Sequence, residues 1–479
     1  MSTLATYFSK RQFCFSIEYI EHGQTQLDFI QDIAGDPTCV AIADRVHADE
    51  DRAPIEITQS LISNTSVTQQ NVLLHYSGKG RDISDLKQFL QEAAQRQYFD
   101  VLMLTGDRLK NHDFGQTQPK QRSRYLESVN SVMYAKQADS RFHLGVAFNP
   151  FKYTESEREA QYLKLHKKIK AGADFIVTQL GYDLLQLKQL QLFLTQHAYH
   201  IPVMVCVMPL TYARAKSICK QSVAGIVIPP DLLEFLKQEH LRDAKDAEDK
   251  VYHRAALHIL IAKHLGFAGI HLSACEQPQQ IRQLEQAILK FQDLDFSQCW
   301  QKYLDLFGLP DMSALRPDLI PPQSIGARQM LKYYSLAYIH DALFNSKVAM
   351  VVGRWLFKAK FWQHPVADRT ILAVEHGIKS ISVGCDRCGQ CRLADTLYIC
   401  PETCPKGLAN GPCGGTSLDR CEFGDRECIH SQKYRIAKQA KQLSVLKQNL
   451  IATVPIQSRQ HSSWVKWFNP AQDRHKQSS

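Results

Sequence analysis

Eight cysteines fall between Cys385 and Cys428 in the spacing C-x2-C-x2-C-x8-C-x3-C-x8-C-x7-C-x6-C, and Cys400 and Cys404 are each followed directly by Pro. The remaining six, Cys14, Cys39, Cys206, Cys219, Cys275 and Cys299, are scattered through the first three hundred residues. In a reducing compartment clustered thiolates hold metals rather than one another. Eight ligands make two sets of four, and four soft sulfurs satisfy either tetrahedral zinc or an iron–sulfur cluster. The triplet Cys385, Cys388, Cys391 with a later Cys-Pro is the ferredoxin kind of spacing, whereas zinc motifs use pairs. The spacing therefore favours at least one [4Fe–4S] cluster, held by members of Cys385, Cys388, Cys391, Cys400, Cys404, Cys413, Cys421 and Cys428. The second set holds zinc or another cluster, and two structural zincs are the alternative.

A second group of candidates ends β-rich runs. Glu18 lies near the end of Phe-Ser-Ile-Glu-Tyr, Asp44 ends Val-Ala-Ile-Ala-Asp, His75 ends Val-Leu-Leu-His, Asp107 follows Leu-Met-Leu-Thr-Gly, and Gln179 ends Phe-Ile-Val-Thr-Gln. In a parallel βα barrel the C-terminal strand ends carry function. A carboxylate there, such as Glu18, can act as a general acid or can simply pair with a barrel Arg or Lys. His75 and Gln179 taken alone also fit a hydrogen-bonded core.

The elements that must position these groups are legible as alternating short β-rich runs and longer segments of helical period over about 295 residues. Nine strand candidates emerge: 13–19, 38–43, 71–75, 100–104, 143–148, 174–179, 202–207, 225–228 and 269–272, one more than an eight-stranded barrel needs. Helical stretches at 83–96, 155–171, 184–197 and 247–265 are long enough to cross back over a sheet. No G-x-G-x-x-G follows the first strand, so a dinucleotide-binding open sheet lacks support. The expected fold is α/β, an eight-stranded βα (TIM) barrel followed by a small cysteine-rich metal-binding domain with helices. The expected boundaries are 1–300 for the barrel, 301–331 for a Pro-rich linker, 332–440 for the zinc or iron–sulfur domain and 441–479 for a basic tail. Helices are expected at 326–356 and 432–450.

Of 479 residues 44% are apolar and 22% charged, which excludes disorder as the main state. No run of about 18 apolar residues is present to span a bilayer, and the N-terminus lacks the features of a signal peptide, so a cytoplasmic protein is expected. The net charge of +9 is concentrated at the end: from Ile429 to Ser479 nine basic residues face one acid, Asp473. This segment is either a solvated face or a docking surface for an acidic partner. Nucleic acid is disfavoured, because no aromatic-rich binding motif accompanies the charge.

The series Phe15-Ser16-Ile17-Glu18-Tyr19, Leu104-Thr105-Gly106-Asp107, Ala147-Phe148-Asn149-Pro150-Phe151, Ala171 to Gln179, and Met208-Pro209 resembles methylenetetrahydrofolate reductases in content and order. The segment 332–438, with Gly-Cys-Asp-Arg-Cys-Gly-Gln-Cys and Cys-Pro-Lys-Gly-Leu-Ala-Asn-Gly-Pro-Cys-Gly-Gly, resembles the cysteine-rich C-terminal domain that accompanies some of these reductases. The resemblance implies a flavin-dependent barrel interconverting 5,10-methylenetetrahydrofolate and 5-methyltetrahydrofolate. It assigns Glu18 as the general acid and Asp107 to a place between flavin and pterin. Gln179 becomes a substrate-binding residue, and His75, Thr105, Gly106 and Lys168 become flavin contacts. Thr105 stands where many members have Arg and Gln161 where many have Asp, so FMN is an alternative to FAD. The implied partners are a tetrahydrofolate-type substrate and a redox protein or NAD(P)H, with homo-oligomers compatible. The alternative is a non-redox, folate-binding methyl-transfer protein with a structural zinc domain.

Overall fold

The computed structural model describes residues 3–21, 32–33, 36–46, 48, 51–65, 67–108, 125–221, 223–318, 323–358 and 360–469. Eight parallel strands close into a barrel: β1 (Cys14–Tyr19), β2 (Asp36–Ile42), β3 (Val72–Ser77), β4 (Asp100–Leu104), β5 (His143–Phe148), β6 (Phe175–Thr178), β7 (Val203–Val207) and β8 (Gly269–Leu272). Closure comes from β1, which pairs with β2 on one side (Phe15 opposite Thr38) and with β8 on the other (Cys14 opposite Gly269). A two-residue strand, Asp32–Ile33, adds an antiparallel pair to β2.

Alternate strand residues face inward, as the two-residue period of a strand requires. Cys14, Cys39, Ala41, Leu73, Leu102, Phe175, Val177 and Met204 form the inner cluster, and helix Thr3–Ser9 seals its N-terminal end with Leu4, Tyr7 and Phe8. The other face of each strand packs against the surrounding helices in one continuous core. Helices Ile83–Gln95, Glu155–Lys170, Leu184–Gln196 and Ala244–His264 lie where their apolar period placed them. Asp82 and Thr154 start two of them with reciprocal capping boxes.

The ninth strand candidate, 225–228, is not a strand. β7 pairs directly with β8 (Met204 opposite Gly269), so the barrel is complete without it. Those residues form an irregular loop on which Asn149 Nδ2 holds the Gly225 carbonyl at 2.9 Å. Within the stretch expected to be a linker, Met312–Leu315 forms a turn of 3-10 helix and buries Met312 and Leu315 in the barrel core. Pro321 and Pro322 lie outside the described residues.

Beyond the barrel, helices Ala327–His340, Lys347–Phe357 and Pro365–Val383 lead into an irregular segment that carries the eight cysteines. The single basic helix expected over 432–450 is two helices, Ile429–Gln439 and Leu443–Gln448, because Lys441 between them takes a left-handed φ of 56°. A further short helix, Ser463–Phe468, closes on helix Lys347–Phe357, with Phe468 stacked on Phe357. Among the described residues no helix is long and apolar enough to cross a membrane.

Part of this basic segment is internal: Lys433 and Arg435 are taken up by the fold, while Lys438 and Lys441 stay exposed. Helix Ile429–Gln439 packs on barrel helix Glu155–Lys170. Lys433 is buried, Arg435 pairs with Asp419 and Glu427, and Lys438 pairs with Glu155. At the centre of this junction Glu127 pairs with Lys164 at 2.8 Å and accepts from the Ala409 N–H, the Asn410 N–H and Asn410 Nδ2, each at 3.1 Å. Burial alone would raise the Glu127 pKa, but Lys164 and Asn410 outweigh it and hold it below the usual range. The stability it contributes is therefore fully present above the unfolded carboxylate value of about 4.3 and is lost as pH falls through the lower folded value. Replacing Glu127 with Ala strands the buried Lys164 and is expected to cost about 3–5 kcal/mol. Thermal unfolding checks this, and an unchanged midpoint would refute it.

Candidate active site and cysteine centres

Glu18 sits at the C-terminal end of β1 on the inward parity, following Cys14 and Ser16. Because β1 lies beside β8, its partner comes from the far end of the barrel sequence: the Ser273 hydroxyl donates to Glu18 Oε2 at 2.5 Å. One step deeper, Ser16 Oγ and His271 Nδ1 are 2.7 Å apart, and the His271 ring lies 5.7 Å from that of His75. Burial, then His271, pushes the His75 imidazole down to about 3, so it is neutral at physiological pH. Its Nε2 is buried with no hydrogen-bond partner. Burial lowers His271 and raises the neighbouring Cys206 thiol, with Glu18 opposing the first shift and adding to the second. Among the described residues the partner of Glu18 is thus a hydroxyl and not a barrel cation.

The loop after β4 forms the next wall. Gly106 has a φ of 85°, and a Cβ there would stand 2.3 Å from Ser77 Oγ and 2.6 Å from Lys79 Cβ. Thr105 Oγ1 accepts from the Ser128 N–H at 3.2 Å, which commits it to the start of helix Ser128–Ala138. Asp107, half exposed, pairs with the buried Lys79 at 3.1 Å. Asp44 accepts from the Ser77 N–H at 2.7 Å and pairs with Arg81, a structural use of its charge. Gln179 Nε2 reaches the Ala224 carbonyl at 3.3 Å. Lys168 approaches from outside the barrel, on helix Glu155–Lys170, and donates to the Ala147 carbonyl at 2.5 Å. Burial and Lys164 push its amine down to about 7. The structure thus brings Glu18 and His75 to the inner barrel, sets Thr105, Gly106 and Asp107 on its rim, and leaves Lys168 behind β5. Ser16, Ser273, His271 and Lys79 are additions that the sequence reading missed.

The cysteines sort into two sets. Cys385, Cys388, Cys391 and Cys400 line one recess together with Lys379 and Arg392. Lys379 Nζ lies 3.5 Å from Cys391 Sγ and 2.7 Å from Glu375. Cys404, Cys413, Cys421 and Cys428 form the other set: Cys404 acts electrostatically on each of the other three. Burial pushes Cys385 and Cys421 up to about 11 and Cys400 and Cys413 up to about 12, so without a metal these thiols keep their protons. None of the cysteines is in a disulfide. Among the described residues no three His, Cys, Asp or Glu side chains stand in a metal-holding arrangement.

The second set lies against the barrel mouth. Lys406, two residues after Cys404, donates to the Gly106 carbonyl at 2.8 Å and to Glu422 at 2.6 Å, and Glu422 in turn accepts from Cys413 Sγ at 3.2 Å. Gln161 donates to the Cys413 carbonyl at 2.6 Å, while Asn149 and Lys152 hold the Gly414 carbonyl at 2.9 and 3.0 Å.

Residues 7–288 match the family described as methylenetetrahydrofolate reductase, over more than half of the chain, and residues 364–456 match methylene-tetrahydrofolate reductase C terminal. The chain belongs to the methylenetetrahydrofolate reductase family. Both parts of the architecture read from the sequence are therefore present in one chain. Similar solved structures include an uncharacterised protein from Clostridium thermocellum that binds two copies of 5-methyl-5,6,7,8-tetrahydrofolic acid. It is 13% identical, with 60% of this chain and 98% of that chain covered at a TM-score of 0.43. Another, from Toxoplasma gondii ME49 and described as a deoxyribose-phosphate aldolase, is 9% identical over 60% of this chain and 98% of that chain, at a TM-score of 0.28.

In this family member the Gly106 loop is one of the places where barrel and cysteine segment meet, so its backbone shape is the feature to perturb. Gly106→Ala adds a Cβ against Ser77 and Lys79 at a positive φ and is expected to destabilise the protein by about 1–3 kcal/mol. Denaturant unfolding measures this, and a neutral substitution would show that the loop relaxes freely.

Proposed function

We propose that the chain is a flavin-dependent oxidoreductase that interconverts 5,10-methylenetetrahydrofolate and 5-methyltetrahydrofolate, with electrons relayed through a cysteine-ligated centre in its own C-terminal region. The observation that carries this reading is the bridge made by Lys406, which ties the Cys404 set to the carbonyl of Gly106 on the rim of the candidate active site. A metal centre that served only to fold a distant module would have no need of that contact.

The residues present fit a flavin. His75 Nε2 is a buried, unpartnered polar atom in the inner barrel, and satisfying such a group is worth about 1–3 kcal/mol to a ligand that reaches it. His75 and the Gly106 backbone would hold the ring system. The Thr105 hydroxyl and the Lys168 amine already have partners in the chain and act by shaping the walls. FAD and FMN both fit this assignment. A bound flavin supplies the hydride that reduces the one-carbon unit.

The donor chemistry of the two cysteine sets fits [4Fe–4S] or zinc, with Cys385, Cys388, Cys391 and Cys400 as one ligand group and Cys404, Cys413, Cys421 and Cys428 as the other. Their raised thiol pKa values mean that ligation must expel protons, and Lys379 and Lys406 provide the positive charge that favours the thiolate. An iron–sulfur cluster would supply one-electron transfer, for which the outside donor or acceptor is a redox protein; NAD(P)H, a hydride donor, would instead reduce the flavin directly and leave the cysteine centres a structural role.

Glu18 carries the acid–base step. Its carboxyl, oriented by Ser273, gives a proton to the bridging amine nitrogen of the substrate; the carbon–nitrogen bond breaks toward that nitrogen and leaves an electrophilic iminium carbon. Asp107, fixed by Lys79, faces the same mouth, and Gln179 orients the pterin. Glu18→Gln keeps the Ser273 hydrogen bond but has no proton to give. Folate turnover is expected to fall by about 10²–10⁴-fold with flavin content unchanged. Turnover at the wild-type rate in flavin-loaded protein would remove Glu18 from this role.

A further inference from the structure

Among the described residues twenty-one large apolar side chains stand exposed, and fifteen of them lie between Leu331 and Ile381. They are carried by the three helices Ala327–His340, Lys347–Phe357 and Pro365–Val383 and the turns between them. The most prominent are Ile381 at 91% exposure, Trp355 at 78%, Tyr338 at 77% and Val348 at 74%. Helix Lys347–Phe357 is apolar on nearly every side: Gly353 and Phe357 meet Phe468, while Val348, Val351, Val352, Trp355 and Leu356 face outward. A helix of that kind is ordinarily covered on all sides.

Over the fifteen side chains, four of them aromatics of about 150–250 Å² each, the exposed apolar area summed over these helices and turns is on the order of 1,500 Å². The largest patch on an ordinary monomer is about 300–600 Å², and a stable protein interface takes about 800 Å² from each partner. Bare apolar surface on this scale calls for an occupant. Its charge identifies the chemistry: Arg328, Lys332, Lys347, Arg354, Lys358 and Arg369 are exposed on these elements against one exposed carboxylate, Asp341. A two-fold-related copy would set these cations against themselves. The cations also interleave with the apolar residues at helical spacing, as in Arg328 with Leu331, Lys347 with Val351 and Val351 with Arg354, rather than forming a rim. Protein interface cores exclude lysine. A lipid surface accepts this alternation, because long cationic side chains lay their stems on apolar ground and raise their heads to the phosphates, with Trp and Tyr at the same level.

We propose that this helical face seats the protein on an anionic lipid surface, peripherally and without crossing it. Residues 289–363, which include the first two helices, lie between the two family matches. The third helix ends at Gly384, next to Cys385, so the seated face brings the first cysteine recess close to the membrane. The proposal is independent of what metal that recess holds.

The test is co-sedimentation of the full chain with vesicles of phosphatidylcholine alone or mixed with phosphatidylglycerol. Binding to the mixed vesicles that weakens with added salt is expected. The double variant Val351→Ser, Trp355→Ser is expected to bind at least about tenfold more weakly with folding and folate turnover unchanged. A charge variant, Lys347→Glu with Arg354→Glu, should lose the preference for phosphatidylglycerol. Absence of binding to mixed vesicles, or binding untouched by both variants, would overturn the proposal. So would a dimer, seen by light scattering, that the double variant dissociates in a protein with no affinity for vesicles.

Discussion

The structure depends on buried lysine amines that have left water and must be compensated inside the protein. Lys152, Lys164, Lys167, Lys168, Lys406 and Lys433 are all buried at or beside the junction between the barrel and the cysteine-bearing segment. Burial pushes Lys168 down to about 7 and Lys167 and Lys433 down to about 8, a sign of how strongly the site resists charge. An irregular segment with few ladder hydrogen bonds has carbonyl oxygens to offer, and Lys152 and Lys164 take them; Lys406 reaches the other way, to the barrel rim, and Lys433 Nζ has no hydrogen-bond partner among the described residues. Lys164 donates to Gly411, Lys152 to Gly414 and Thr416, and Lys406 to Gly106. Each partner solves the other's desolvation problem. That mutual need fixes the cysteine segment to the C-terminal face of the barrel rather than leaving it on a tether.

The close fit explains several residue choices at the mouth. A Cβ on Gly225 would stand 2.3 Å from the Gly414 carbonyl, so the loop after β7 and the cysteine segment can approach only through glycine. Gln161 donates to the Cys413 carbonyl, a contact a carboxylate could not make. Inside the barrel, by contrast, Ser16, His271 and His75 line the approach to the Glu18 carboxylate.

The barrel was readable because each strand is an apolar run of the right length followed by a helix of matching period, and because the candidate polar positions end strands. Glu18, His75 and Gln179 share that signal. Their partners do not. Ser273 and His271 meet Glu18 and Ser16 only because β1 closes against β8, a neighbour about as far along the chain as the barrel allows. Lys79 lies in a loop whose sequence has no pattern. The run 225–228 misled because its apolar residues look like strand but serve a loop under the cysteine segment. In the basic C-terminal segment a charge count could not tell a solvated cation from a buried one: Lys433 and Arg435 are internal, whereas Lys438 and Lys441 are exposed. The cysteine spacing set eight clustered thiols apart from six scattered ones, and the division into 385–400 and 404–428 became visible only once the chain was folded.

Anaerobic purification of the full chain, followed by an ultraviolet-visible spectrum with flavin, iron and zinc quantified on the same sample, tests most directly whether one polypeptide joins a flavin site to an electron-relaying cysteine centre. Flavin together with iron is the predicted result, with an iron–sulfur absorbance that bleaches on reduction. A colourless protein containing zinc and no flavin would contradict it and leave a folate-binding methyl-transfer protein with a structural zinc domain as the better description.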